Sequence, residues 1–538
     1  VPRKPTADPA RAALLAAVLA DPEADAPRLV LADWLEEHGE ASRAEYVRLS
    51  CRLAGMARWD DGYVETRLRA DRLLREHRQA WGESAGRRAF YAAHDRGFPN
   101  ELRFSDETPA DRLRDRLAES PVTRAEFSYR PTAEDRPRVD GLAMPELAGL
   151  RELELTANVR PVPEPTADAA VRAVAAAANL THLRRLALPE DAPSPAALAD
   201  LLASPVGRRL EALALSGERY GDEHAAALAA ADLPRLRELR FGGRLTADGL
   251  ARLVRAGWFP RVERLALRGV LGERGMTALA DAGRPLALRS LDLGWCGLTD
   301  DALVALAASP HLGRLTELAA ERNVFERGDG LVALGESRGF ALDALDLSNA
   351  RLFDEYSCPD PAGTAARFVR GPAVRWLRWL RARGNHGLGR AFRDALAESP
   401  LPDSLRTLDL WGCGVFDADV GRLLAGRPWP HLARLDLGAE LPWDAALAVV
   451  EGPAFPRLAA LTVRLRQPGA HRFVKALARS PAAARLRAVD LGAHLTPAAA
   501  DALVASEHLA GLDALAVRAS QKDLARLRAR FGPRLLSW

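Results

Sequence analysis

Leu288-Arg289-Ser290-Leu291-Asp292-Leu293-Gly294-Trp295-Cys296-Gly297-Leu298-Thr299-Asp300-Asp301-Ala302-Leu303-Val304-Ala305-Leu306-Ala307 changes its period part-way along. Leu288, Leu291 and Leu293 are the apolar positions of its opening, and Leu-Asp-Leu alternates as a strand with one buried face does. From Asp301 onward the apolar residues return at the spacing of a helix with one buried face. Strand, turn and helix are therefore contained in this one stretch. Thr299-Asp300 stands where a side-chain oxygen can cap the helix's free N–H groups, and Thr246-Ala247-Asp248 repeats the device.

The opening frame, L-x-x-L-x-L, recurs with its first position at Leu150, Leu183, Leu210, Leu236, Val262, Leu288, Leu315, Leu342, Leu377, Leu405, Leu432, Leu458, Leu486 and Leu512. Successive starts are 26 to 28 residues apart, except for steps of 33 before Leu183 and 35 before Leu377. Self-similarity at one period means stacked units, none of which can bury its apolar face alone. Several helices are expected to stop at Ser-Pro or a similar turn (Ser204-Pro205, Ser309-Pro310, Ser399-Pro400, Ser480-Pro481), because proline cannot continue a helix. Strands stacked side by side make a parallel sheet with the helices on its other face. A helix is wider than a strand, so such a stack bends.

Three residues past the last apolar strand position stand Asn158, Cys296, Asn323, Asn385 and Cys413; other units carry Asp191, Glu218, Arg244 or His494 there. The unit resembles the ribonuclease-inhibitor type of leucine-rich repeat, whose frame continues with Asn or Cys at this place. The resemblance implies an α/β, right-handed leucine-rich-repeat solenoid, a horseshoe with the parallel sheet on its concave face and the helices outside. Val122-x-x-Ala125-x-Phe127 and the 97–104 stretch are expected to be earlier capping strands. Leu524, Leu527, Phe531, Leu535 and Trp538 are expected to seal the other end.

Residues 1–95 follow other rules. Asp8-Pro9 supplies an N-cap and a first-turn proline for a helix that Asp21-Pro22 ends. Leu29, Val30, Trp34 and Leu35 are expected to form the apolar stripe of a second helix closed by Gly39; a third starts near Ser42 and a fourth runs from Tyr63 towards Trp81. The string Arg28-Leu29-Val30-Leu31-Ala32-Asp33-Trp34-Leu35-Glu36-Glu37-His38-Gly39, with Arg43-Ala44-Glu45-Tyr46-Val47-Arg48-Leu49 after it, closely resembles the bacterial repeat-companion domain. That family sits in front of repeat arrays and lends no activity. Within the string, Trp34 is expected in the core, Asp33 as a tie to a neighbouring helix, and the glutamates in solvent. The chain thus divides into a helical all-α module over 1–95, capping repeats over 96–149, and the array with its C-terminal cap over 150–538.

Composition narrows the function. With 48% hydrophobic and 27% charged residues, the chain has the balance of a folded soluble protein. Its 75 basic residues against 72 acidic ones leave a net charge of only +3, with the signs interspersed. Binding by counterion release wants a concentrated basic stripe, so nucleic acid is disfavoured as a partner. No apolar run approaches the roughly 20 residues of a membrane span, and the opening Val1-Pro2-Arg3-Lys4-Pro5 has no apolar signal-peptide core, so no secretory leader is expected. A cytoplasmic location with no membrane association is the expectation. Cys51, Cys296, Cys358 and Cys413 are too scattered for a disulfide scaffold or a zinc site, and read as reduced thiols.

No phosphate-binding, nucleophile-elbow or zinc-helix motif falls in a supporting strand–helix context, and the histidines lack metal-ligand spacing. The expectation is a non-enzymatic protein with no catalytic residues, no cofactor and no metal, whose partner is another protein. Candidate partner-binding residues come from the outward strand positions and the turns beside them. They are Asp292, Trp295, Asp346, Trp379, Arg381, Asp409, Trp411, Asp436 and Asp490, since aromatics beside fixed charges make binding hot spots. Phe353 and Tyr356 join them from the long unit before Leu377, where a loop on a rigid scaffold is a common binding device. The competing reading is a solvated face whose acids pair with arginines such as Arg406 and Arg434. Scaffold or recognition subunit is the leading role, and regulatory subunit (inhibitory or recruiting) of an enzyme or multi-protein complex is the alternative.

Overall fold

A computed structural model describes residues 8–81, 94–105, 107–129, 140–157, 164–352, 357–413, 426–465 and 469–537. Its contacts divide the chain into two compact units. The first holds Val1–Met56, His77–Leu245 and Arg255–Val262, and the second Ala57–Glu76, Thr246–Val254 and Glu263–Trp538.

Four helices open the chain: α1 (Pro9–Ala20), α2 (Asp25–Glu37), α3 (Ala41–Ala54) and α4 (Tyr63–His77). The Asp8 carboxylate accepts from the Ala10 N–H at 2.8 Å and caps α1, with Pro9 at the first position, as the sequence requires. Gly39, at φ 83°, makes the turn after α2. The stripe expected on α2 is displaced. Leu29 and Val30 are 39% and 54% exposed, and the buried face is Arg28, Leu31, Ala32 and Leu35. These four share helical spacing, so rotating the helix by one residue preserves an apolar stripe and admits one arginine. Arg28 is tolerated there because its guanidinium donates to Ala24 O at 2.9 Å and Pro22 O at 2.6 Å, and lies 5.8 Å from the Phe98 ring. Leu31, Ala32 and Leu35 pack with Val18, Ala44, Val47 and Phe98, with Trp34 at the margin of the cluster. Asp33 and Glu36 both hold Arg48 of α3 at 2.6 Å.

In the first unit, β1 (His94–Asp95) and β2 (Phe98–Pro99) form an antiparallel pair. The parallel strands follow: β3 (Glu101–Ser105), β4 (Arg124–Tyr129), β5 (Glu152–Ala157), β6 (Arg185–Leu188), β7 (Ala212–Gly221) and β8 (Glu238–Thr246). Leu102, Ala125, Leu153, Leu186, Leu213 and Leu239 stand in one cross-strand row. The two expected early strands are therefore β3 and β4.

The second unit continues with β9 (Arg264–Val270), β10 (Ser290–Asp292), β11 (Glu317–Ala319), β12 (Ala344–Asp346), β13 (Trp379–Arg381) and β14 (Thr407–Asp409). It ends with β15 (Arg434–Leu441), β16 (Ala460–Leu465), β17 (Ala488–His494), β18 (Ala514–Arg518) and β19 (Leu535–Ser537). Leu265, Leu291, Leu318, Leu345, Leu380, Leu408, Leu435, Leu461, Val489, Leu515 and Leu535 form its row. The second leucine of each sequence frame is thus the pairing register itself. At the C-terminal end, Leu524, Leu527 and Phe531 are buried on the helix Gln521–Phe531, and Leu535 enters a strand. Trp538 lies outside the described residues.

Polar side chains stitch one repeat to the next. Asn323 is fully enclosed. Its Oδ1 accepts from Cys296 N at 3.2 Å and Leu298 N at 3.0 Å, and its Nδ2 donates to Leu293 O at 3.0 Å and Ala320 O at 2.9 Å. Asn385 does the same between Ala350 N, Leu347 O and Ala382 O, all at 2.8 Å. An amide suits the turn because it both accepts and donates. Cys296 and Cys413 stand in that row and donate their thiols to Leu267 O and Ala382 O.

The helices end at Ala203, Ala307, Glu398 and Arg479, two or three residues before their prolines. Thr299 makes no side-chain cap to its own helix. Instead the buried Asp300 accepts from Arg327 N, Gly328 N and Gly330 N at 3.0–3.1 Å and caps the helix of the following repeat, Asp329–Glu336. Gly328, at the N-cap of that helix, has no side chain with which to do so.

Candidate binding surface

Because side chains alternate along a strand, burying the leucine row sends its neighbours to the open face of the sheet. In the second unit one open-face row reads Asp292, Ala319, Asp346, Arg381, Asp409, Asp436, Thr462, Asp490 and Ala516. The structure therefore brings most of the sequence-derived candidates together. Phe353 and Tyr356 lie outside the described residues.

Within that row the carboxylates are largely occupied. Arg381 reaches Asp346 and Asp409 at 3.4 Å each, and Arg383 reaches Asp409 at 3.3 Å and Asp436 at 3.9 Å. Asp346, Asp409 and Asp436 are buried. Burial pushes the Asp436 carboxyl up to about 7, with the neighbouring Asp409 adding to the shift and Arg383 and Arg434 opposing it. Asp409 also moves up on burial, with Arg383 opposing. Asp346 accepts from Ser348 N at 3.0 Å and Ser348 Oγ at 2.6 Å. Asp490 is half-buried and accepts from Gly492 N at 3.1 Å. These acids chiefly hold the sheet's own arginines and turns.

The tryptophans differ from one another. Trp379 is 7% exposed, with the Arg58 guanidinium 4.0 Å from its ring centroid. Trp411 is half-buried between Arg383 and Arg464, 5.2 and 5.3 Å from its ring. It lies flat on Gly438, where any β-carbon would collide with the indole. Trp295 is 57% exposed. It follows β10 with φ 58°, and Arg322, Asn349, Gly384 and Gly412 hold the same left-handed backbone at the equivalent place in the following repeats. This turn must reverse direction to send the next residue, Cys, Asn or, at 350, Ala, into the core. Glycine does so without strain at 384 and 412, whereas a side chain there costs about 1 kcal/mol. Arg322 lies 4.5 Å over the Trp295 ring. On the strand before Trp295, Asp292 accepts two hydrogen bonds from Arg268, of 2.8 and 2.9 Å. Sequence reasoning missed Arg322 and Arg268. The signal for Arg322 is its place before Asn323, the same step that Trp295 takes before Cys296.

The first unit has an open face of its own. Glu101, Arg124, Glu152, Arg185, Ala212 and Glu238 form one row, tied by Arg124–Glu152 at 3.1 Å, Arg185–Glu152 at 3.4 Å and Arg185–Glu238 at 2.8 Å. Beside it run Arg103, Glu126, Glu154, Ala187, Ala214 and Arg240. The alanines leave a cavity of about 510 Å³ between Glu154 and Arg240. Burial, then Glu126 and Glu101, raise the Glu154 carboxyl. None of these first-unit residues is among the sequence-derived candidates, which follow the aspartates of the later strands.

Among the described residues no group of acids, histidines and cysteines is arranged to hold a metal ion. No helix among them is long and apolar enough to cross a membrane.

The register and the Asn/Cys turn row define a leucine-rich-repeat solenoid preceded by helices. No family model matches the chain, and no curated protein matches it in sequence. Solved structures do resemble it. In the yeast Rad7–Elc1 complex, a chain at 16% identity matches 81% of this chain and 93% of its own length, with a TM-score of 0.42. An internalin (InlF) of Listeria monocytogenes matches at 14% identity over 73% of this chain and 81% of its own, with a TM-score of 0.30. The plant peptide hormone receptor RGFR1, solved with RGF2, matches at 12% identity over 78% and 70%, with a TM-score of 0.29.

Proposed function

We propose that this chain is a non-enzymatic recognition subunit that binds a partner protein through the open strand face of its second unit, anchored at Trp295. In this reading residues 1–95 are a helical companion and 96–149 cap the array. One observation carries the proposal: a large aromatic side chain stands mostly in solvent on a strained, left-handed residue. Neither exposure nor strain favours the isolated fold, and strained backbone concentrates where a site needs a side chain aimed. Tryptophan and arginine are also the residues that most often anchor interfaces. Trp295 with Arg322 over its ring, on the strand that carries the Arg268-paired Asp292, supplies an exposed aromatic surface with charges nearby.

The test is a native purification of the tagged chain, with co-purifying polypeptides identified by mass spectrometry. Trp295→Ala, and Trp295→Ala with Arg322→Ala, should lose the partner while the melting temperature holds. Equal recovery of the same partner by both variants overturns the Trp295 anchor. The partner's identity separates a scaffold from a regulatory subunit of an enzyme.

A further inference from the structure

Residues 57–76 belong by their contacts to the second unit, although every strand of that unit comes much later in the chain. They cross the N-terminal ends of its strands in order. The Arg58 guanidinium lies 4.0 Å over the Trp379 ring and 3.7 Å from Glu317, on β13 and β11. Asp61 accepts from Arg406 Nε at 2.6 Å and Arg457 Nη1 at 3.4 Å, ahead of β14 and β16. Further along, Arg72 Nη1 reaches Asp513 Oδ1 at 3.2 Å and Arg75 donates to Asp513 O at 2.9 Å, ahead of β18. With strands about 4.8 Å apart, seven steps from β11 to β18 span roughly 34 Å. A short loop followed by a helix rising about 1.5 Å per residue is long enough to run that distance.

The hold on this rim is mostly polar. The buried stripe of α4 is Thr66, Ala70 and Leu73, which includes one large apolar side chain. Asp61 and Arg457 are both more than half exposed, and ion pairs of that kind are weak and screened by salt; the Arg72–Asp513 pair at the far end is more closed in. Trp379, in contrast, is closed off beneath Arg58.

We propose that residues 57–76 are a releasable strap, a built-in occupant that withholds Trp379 and its flanking charges from a second helix of the same arginine–acid–arginine pattern. This rim is at the opposite ends of the strands from Trp295, so the two proposals stand or fall separately.

The test uses the full chain and needs no partner. Amide hydrogen exchange is followed in wild type, Asp61→Arg and Arg58→Ala at about 0.05 M and about 0.5 M NaCl, where screening differs severalfold. Exchange over 57–76 should quicken about tenfold in wild type at high salt and in both variants at low salt, with β13 and β14 unchanged. A labelled peptide of residues 57–77 should bind Asp61→Arg and leave wild type unbound at low salt. Two results overturn the strap: wild-type exchange over 57–76 that ignores salt, or a peptide that fails to bind the variant. If a variant loses the sheet's protection as well, the wild-type salt series decides. Trp295→Ala should leave all of these readings unchanged.

Discussion

The Arg322 guanidinium lies 4.5 Å over the Trp295 indole, and both residues hold left-handed backbone at the same step of adjacent repeats. The pairing fixes an exposed aromatic in place where a glycine would make the same turn without strain.

Replacing Trp295 by glycine therefore separates structure from recognition. The Trp295→Gly chain should be as stable as wild type, or more stable by up to about 1 kcal/mol, because the left-handed strain disappears. Urea unfolding measures this. A loss above about 2 kcal/mol would mark Trp295 as a packing residue and remove the reason for reading it as an anchor.

Asn323→Ala should behave in the opposite way. It leaves the N–H groups of Cys296 and Leu298 and the Leu293 carbonyl without their partner in a closed interior. A loss of about 3 kcal/mol is expected, since unsatisfied buried groups cost about 1–3 kcal/mol each and relaxation recovers part of it. A change below about 0.5 kcal/mol in urea unfolding would mean that the turn row carries no load.

Asp436 predicts a pH dependence. Its carboxyl stands at about 7 in the fold, against about 3.9 in an unfolded chain. The folded state thus keeps a proton that the unfolded state has released, and stability falls as pH rises from about 4 to about 7. Asp436→Asn removes this dependence, so its melting temperature should gain on wild type steadily across that window. Two parallel melting profiles would show that the Asp436 carboxyl is not raised in the fold.

All four cysteines are buried. Burial pushes the thiols of Cys51, Cys296 and Cys413 up to about 12, far from the thiolate that reacts. A chromogenic disulfide reagent should label the native chain only as fast as it opens, and label all four sites in denaturant. Rapid native labelling at any of the three would contradict the closed turn row and the closed helical core.

The strand–turn–helix unit was legible from Leu288 to Ala307 alone, and the recurrence of its frame supplied the pairing rows of the two units, Leu153 to Leu239 and Leu265 to Leu515. The Asn/Cys position was legible too, because a turn that must both donate and accept admits few side chains. Thr246 caps its own helix, its Oγ1 accepting from Asp248 N at 3.3 Å, but the cap expected at Thr299 falls one repeat out of place. The sequence pointed Thr299 at its own helix, whereas Asp300 caps the following one, and no pattern within a single repeat reveals a bond to the next. On α2 the stripe was misplaced by one step because Arg28 was not expected inside. Only the carbonyls of the α1–α2 turn make that burial affordable.

The sequence by itself determined the fold class and the register. In a repeat array each unit contacts mainly its neighbours, so a fixed period states which residues stack. Tertiary structure decided which outward residues remain free. Asp409 and Asp436 face outward in the strand pattern and are buried among Arg381, Arg383 and Arg434. Trp379 faces outward and is covered by Arg58, some 320 residues away in the chain. Trp295 stays open. Exposure depends on what distant segments lay over a strand, and local periodicity carries no record of them.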